Sequence, residues 1–192
     1  MPKFSTSESD RQAVERLFYG RLPFDFVAAL FAFDKKARVQ KLIHGIKYHF
    51  LPEMAYWIGQ VLGEEMRRVS LSWPADIIVP VPLHPKRQRR RGFNQSAWFA
   101  RGLSEKLGLP VREDILVRVV NTKSQTGMNK TRRWENVREA FMCLTSVQGL
   151  RIILTDDVLT TGATLEACGK AVLKAGARSI NIAVMASAFG HD

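Results

Sequence analysis

Residues 27–33 form a short apolar run broken by Asp34, Lys35 and Lys36, the pattern of a strand running into a turn. The period then changes. Val39, Leu42, Ile43 and Ile46 recur at i, i+3, i+4 and i+7, which predicts an amphipathic helix over 37–49, with Pro52 marking its end. A second helix is expected over 53–68, with Trp57, Ile58, Val61 and Leu62 on its inner face. From Asp76 onward short β-branched runs alternate with helical segments, as in a parallel sheet. Residues 77–79 read as the first such strand, 95–107 as the following helix closed by Gly108, Leu109 and Pro110, and 115–120 as the next extended segment. The 131–140 stretch is compatible with a helix. Residues 152–155 read as a strand without alternation, 162–175 as a helix ended by Gly176, and 180–186 as the closing strand.

This order predicts an α/β protein with a mainly parallel central sheet flanked by helices. At 192 residues the chain fits one domain with a small appended lobe, divided here as 1–72 for the N-terminal segment and lobe and 73–192 for the core. The content of 46% hydrophobic and 24% charged residues is that of a soluble globular protein. No apolar run approaches the roughly 18 residues of a membrane span, and the first residues lack the apolar stretch of a secretory signal, so a cytoplasmic location is expected. Cys143 and Cys168 are far apart and lack CxxC spacing, which supports neither a disulfide framework nor a zinc site. Both are expected in the core.

Charge adds a direction. With 29 Lys plus Arg against 18 Asp plus Glu, the net charge of +11 favours anionic partners without choosing between a polyphosphate and nucleic acid. Part of the excess lies in Lys86, Arg87, Arg89, Arg90 and Arg91, followed at once by Gly92. A solvated basic loop accounts for such a run, but a glycine inside so dense a cluster argues for a shaped anion-binding loop. The prolines at 80, 82 and 85 are expected to keep the stretch before it irregular. Arg forks and Lys point charges there suit pyrophosphate, with His84, Lys86, Arg87 and Arg91 as candidates.

The most specific signal is an apolar strand that runs into Asp156 and Asp157, then into Thr160, Thr161, Gly162, Ala163 and Thr164 at a helix start. Open α/β sheets bind ligands at the carboxyl ends of their strands, and vicinal sugar hydroxyls are good donors to paired carboxylates. Successive backbone amides and threonine hydroxyls at a helix N-terminus favour a phosphate, and Gly162 lets the backbone approach closely. An acidic turn with a helix cap explains neither the doubled acid after a buried strand nor the run of small loop residues. Thr122, Gln125, Arg133 and Asn136 stand in a polar stretch, 121–137, of the kind that closes over a site.

The acidic pair and its Thr-Thr-Gly-x-Thr loop resemble the 5-phosphoribosyl-1-pyrophosphate (PRPP) motif of type I phosphoribosyltransferases, with Thr155 standing where an aliphatic residue is usual. The resemblance implies that fold, with ribose hydroxyls held by Asp156 and Asp157, the 5-phosphate by the 160–164 loop, and Mg²⁺ bound with PRPP. No residue is assigned to the metal directly. It also implies an N-terminal hood over the acceptor. Pro80 to His84, Arg91 to Gln95, Thr122 with Gln125, Arg133, Asn136 and Phe141, and the PRPP motif together are similar in kind and order to the ComF family, and 42–48 extends the likeness. ComF membership implies a link to natural competence, single-stranded DNA and competence proteins. Many ComF-like proteins begin with a four-cysteine zinc module, whereas this chain has no cysteine before Cys143, a departure that bears on any zinc-dependent binding of partners or DNA. Amidophosphoribosyltransferases share the Thr-x-x-Gln element, but this chain is too short for a complete glutamine-dependent enzyme. Three readings follow: phosphoribosyl transfer to an acceptor that the sequence does not name, a non-catalytic single-stranded DNA- or partner-binding protein, and a PRPP-sensing regulator. An oligomer is open in each.

Overall fold

A computed structural model of the chain describes residues 16–18, 20–32, 38–48, 51–68, 74–119 and 140–188. In chain order its elements are β1 (Phe26–Ala32), α1 (Arg38–Tyr48), α2 (Pro52–Arg68), β2 (Ile77–Pro80), α3 (Pro85–Arg91), α4 (Gln95–Leu107), β3 (Leu116–Arg118), β4 (Phe141–Cys143), β5 (Arg151–Leu159), α5 (Ala163–Lys174) and β6 (Ser179–Ser187). The central sheet runs β1-β6-β5-β2 with every pair parallel, and β3 and β4 form a separate antiparallel pair. Residue Val111 adds a parallel bridge to Ile78, outside β2.

Both faces of the sheet are covered, which is why its strands are continuously apolar. Ile152, Leu154, Ile180 and Ile182 enter one core with Leu165, Cys168 and Val172 of α5. Ile153, Ala183 and Met185 enter the other with Phe99 and Leu103 of α4 and Ile58 and Leu62 of α2. From β2 the chain passes through α4 outward to Val111; from β5 it passes through α5 in the other direction to β6. The two crossovers leave on opposite faces, so the carboxyl ends of β2 and β5 flank a topological switch point, where open α/β sheets bind ligands.

The opening segment contributes β1 to this sheet and α2 to its face. Trp57 is not on the inner face of α2: it is 55% exposed. The buried face runs through Ala55, Ile58, Gly59, Leu62, Gly63 and Met66, because α2 packs backbone to backbone on α4. A Cβ on Gly102 would stand 2.0 Å from the Tyr56 carbonyl oxygen, and one on Gly59 would stand 2.2 Å from that of Phe99.

Two further expectations change. The basic run is a helix, α3, not a loop. Pro85 at its first position needs no N–H partner there, His84 caps it, and Gly92 ends it at φ 72°. The arginines Arg89, Arg90 and Arg91 fall in its last turn, where the helix dipole favours cations. Strand β5 also runs on past Thr155, with Asp156 opposite Val184 and Val158 opposite Ala186 of β6. On its other side β2 stops at Pro80, opposite Thr155, so among the described residues the acidic pair has a strand partner on one edge only. The remaining helices match their periodicity, α1 burying Ile43 and Ile46 and α4 ending at Gly108 with φ 69°.

Candidate active site at the carboxyl ends of β2 and β5

The open edge beside Asp156 and Asp157 is filled by the start of α4. Asn94 caps that helix, accepting from the Ser96 N–H at 3.1 Å, and its Nδ2 donates to the Val81 carbonyl at 3.0 Å, which ties the cap to the chain leaving β2. The Ser96 hydroxyl donates to Oδ1 of Asp156 at 3.1 Å, and Nε2 of Gln95 donates to Oδ2 of Asp157 at 2.7 Å. Oδ1 of Asp156 also accepts the N–H of Asp157 at 2.8 Å. Asp156 is half-buried and Asp157 buried, so the two carboxylates are not equivalent: Asp156 is the one with open surface. The helix N-terminus at their side favours negative charge.

Beyond Leu159 the chain turns through the predicted phosphate loop. Thr160 and Thr161 are exposed, Ala163 and Thr164 half-buried, and Gly162 stands at the N-cap of α5 with φ 72°. Glycine alone serves there, since the φ is left-handed and a Cβ would lie 2.7 Å from Cε1 of Phe18. The first amides of α5 have no intrahelical partner and are available to an anion. A further tie holds the loop from behind: Arg21 donates from Nε at 2.9 Å and from Nη2 at 2.5 Å to Glu166, which also accepts from Lys170 at 2.6 Å. Burial pushes the Glu166 carboxyl up, but the bonds from Lys170 and Arg21 outweigh it and hold the group below its ordinary range.

The predicted pyrophosphate residues separate. Lys86 and Arg87 are exposed on α3, whereas Arg91 is 6% exposed and donates from Nη1 to Oε1 of Gln95 at 3.2 Å. Arg91 therefore reaches the acidic pair through Gln95. Nδ1 of His84 accepts the Lys86 N–H at 3.2 Å, which requires an unprotonated Nδ1. Burial first, then the charges of Arg118, Lys86, Arg87 and Arg89, lower the His84 pKa in keeping with that role.

Sequence reasoning missed Ser96 and Arg21, neither of which belongs to the local pattern of the loop. The flexible-loop candidates Thr122, Gln125, Arg133 and Asn136 lie outside the described residues; β3 and β4, which flank that stretch, are paired side by side. Cys168 is a core thiol as expected, its pKa pushed well up by burial, while Cys143 is half-buried and donates to the Thr145 carbonyl at 3.4 Å. No group of three or more metal-ligating side chains occurs among the described residues.

The family model of the phosphoribosyl transferase domain matches residues 94–189. The chain is 35% identical over 144 residues to DNA utilization protein YhgH of Salmonella typhi, covering 73% of this chain and 63% of that protein. It is 34% identical over 138 residues to competence protein F of Haemophilus influenzae, covering 66% of this chain and 60% of that protein. It thus spans less than two thirds of the length of these curated relatives. Among solved structures it is similar to adenine phosphoribosyltransferase of Leishmania tarentolae, with a TM-score of 0.46 and 14% identity over 84% of this chain and 91% of that chain. With the acidic pair, its glycine-centred loop and α4 all inside the matched residues, the chain belongs to the phosphoribosyltransferase domain family and, by its relatives, to the ComF group within it.

Proposed function

We propose that the chain binds PRPP with Mg²⁺ at the carboxyl ends of β2 and β5 and transfers the phosphoribosyl group to an acceptor, releasing pyrophosphate. The observation that carries this reading is the convergence of Asp156, the 160–164 loop and α3 on one switch point. Asp156 would take the ribose hydroxyls, the amides at the start of α5 the 5-phosphate, and Lys86 and Arg87 the pyrophosphate. In the reaction the bond from ribose C1 to pyrophosphate breaks with its electron pair leaving on oxygen, while the acceptor's lone pair bonds to C1 and the acceptor loses a proton. The protein's own part is to position the donor and to stabilise the departing charge.

The donor set suits Mg²⁺ in this role. Two adjacent carboxylates, one of them already held by Gln95, do not make an all-protein cage, and Mg²⁺ is commonly held by one or two carboxylates plus phosphate oxygens and water. When bound, it would neutralise charge on the pyrophosphate. Calorimetry of PRPP with Mg²⁺ tests the proposal: saturable binding is expected for the wild type and its loss in D156N/D157N. A wild type that does not bind PRPP would sink it.

A second reading has its own support. Lys86, Arg87, Arg89 and Arg90 are all exposed on α3, and the relatives are named for competence and DNA utilization. A basic surface of this kind suits single-stranded DNA, and a competence role with protein partners belongs to this reading. Its signature is an affinity that falls steeply with salt, as counterions are released. Among the described residues no helix is long and apolar enough to cross a membrane, and a cytoplasmic location is part of both readings.

A further inference from the structure

Consecutive residues of β5 are bonded to consecutive residues at the start of α4. The Thr155 hydroxyl donates to the Ser96 carbonyl at 3.3 Å, the Ser96 hydroxyl to Oδ1 of Asp156 at 3.1 Å, and Nε2 of Gln95 to Oδ2 of Asp157 at 2.7 Å. The Asp157 N–H, 2.8 Å from the same Oδ1, gives Asp156 a second donor on that oxygen. Thr155, Ser96 and Gln95 are 0%, 1% and 3% exposed. Burying polar side chains is costly unless each finds a partner, and Val in place of Thr155 or Ala in place of Ser96 would pack there with no hydroxyl to satisfy. Packing alone therefore gives no reason for a hydroxyl at either position. What the two hydroxyls do fix is direction.

A carboxylate held on one oxygen by two donors has a set plane, and its remaining lone pairs point along set directions. Ser96 supplies one of those donors to Asp156, the carboxylate with open surface, from a helix start that Thr155 ties to β5. Vicinal sugar hydroxyls are a ligand for which direction decides affinity. Both donors must meet acceptors at once, and a sugar lacking one hydroxyl leaves a partly desolvated carboxylate oxygen without its donor. We propose that Ser96 is a specificity-determining positioning residue of the site: with Thr155 behind it and Gln95 beside it, it sets the acidic pair to distinguish a ribose phosphate from its 2-deoxy counterpart. The proposal deepens the PRPP reading and rests on it, assigning discrimination of the sugar to residues that act through Asp156 and Asp157.

The test is calorimetry, with Mg²⁺ present, of ribose 5-phosphate, 2-deoxyribose 5-phosphate, inorganic pyrophosphate and PRPP on wild type, S96A, T155V, D156N and S96A/D156N. The wild type is expected to bind ribose 5-phosphate about ten- to hundredfold tighter than the deoxy sugar, as for a hydrogen bond to a charged group. S96A should narrow that ratio to about threefold or less, while pyrophosphate affinity stays within about twofold. T155V keeps the shape of the side chain and should narrow the ratio in an unaltered fold, though by less, since its bond is the longest of the three. In D156N the ratio is already lost, and adding S96A should change it by less than about twofold, because Ser96 acts through Asp156. General damage to the fold would instead weaken every probe together and leave the ratio alone. A ratio unchanged in both S96A and T155V, an equal loss for every probe, or a wild type that binds both sugars alike overturns the proposal, and PRPP binding in that same wild type leaves the PRPP reading standing. A Ser96-dependent preference in a wild type that ignores PRPP keeps the sugar assignment and removes the PRPP reading. A wild type that binds no probe removes both.

Discussion

Gln95 and Asp157, 62 positions apart, meet through an Nε2-to-Oδ2 hydrogen bond of 2.7 Å in which both side chains are buried. The other end of the same amide accepts from Arg91, so one neutral side chain joins the end of the basic helix to the acidic pair. Ser96, the next residue, holds Asp156. The start of α4 thus orients both carboxylates, and it does so from a helix whose own position is set by its backbone contact with α2.

Replacing Gln95 tests that arrangement directly. Q95A removes one donor from a buried carboxylate and is expected to cost about 1–3 kcal/mol in urea unfolding. Q95E sets a second carboxylate against Asp157 while keeping the acceptor for Arg91, so it should lose stability at neutral pH and recover part of the loss on acidification, as one of the two takes a proton. A Q95E variant whose stability relative to wild type is independent of pH would argue against the contact.

Gly162 is expected to be intolerant of any side chain. At φ 72°, with Phe18 and Leu17 where a Cβ would be, G162A should lose about 1–3 kcal/mol of stability and weaken phosphate binding by the displaced loop. Adding F18A relieves the clash but not the left-handed φ, so the double variant should recover only part of the binding, measured by calorimetry with PRPP.

The crossing of α2 and α4 is the second place where glycine is required by space. A Cβ on Gly102 falls 2.0 Å from a backbone oxygen, which no side-chain rotation relieves. G102A is expected at or beyond the upper end of the about 1–3 kcal/mol cost of overpacking, read as a shifted urea midpoint. Because α4 carries Gln95 and Ser96, any folded G102A should also bind PRPP more weakly.

Asp76 and Arg151 clamp the starts of β2 and β5. Arg151 donates from Nη2 at 2.6 Å, from Nε at 3.1 Å and from its backbone N–H at 2.8 Å. The Arg151 side-chain bonds, then its backbone bond, lower the Asp76 pKa to about 2. A depressed carboxylate contributes stability above its unfolded pKa and loses it as pH falls through the folded one. The contribution should therefore be complete above about pH 4 and disappear toward about pH 2. D76N is expected to be less stable than wild type at pH 7 and to close that gap on acidification, followed by denaturant titrations across this range.

What the amino-acid sequence determined by itself is local. The helices α1, α4 and α5 bury faces whose period appears in consecutive residues, and β6 and the first half of β5 are nearly continuous apolar runs, so these elements were recoverable without their partners. The acidic pair and the glycine-centred loop were recoverable for the same reason, since the ligand chemistry they imply sits within nine successive positions, 156–164. Tertiary structure decided everything that depends on a partner remote in the chain. A hydrophobic period says that Trp57 and Ile58 belong to a helix, but only the backbone contact of Gly59 with α4 turned the tryptophan outward. The glycine after the basic run suggested a loop, yet Pro85 at a helix start and the His84 cap made the run a helix, with Gly92 ending it. Arg91 and Arg87 look alike in sequence; one is buried on Gln95 and the other exposed, because burial and hydrogen bonding are properties of the packed neighbourhood and not of the residue type.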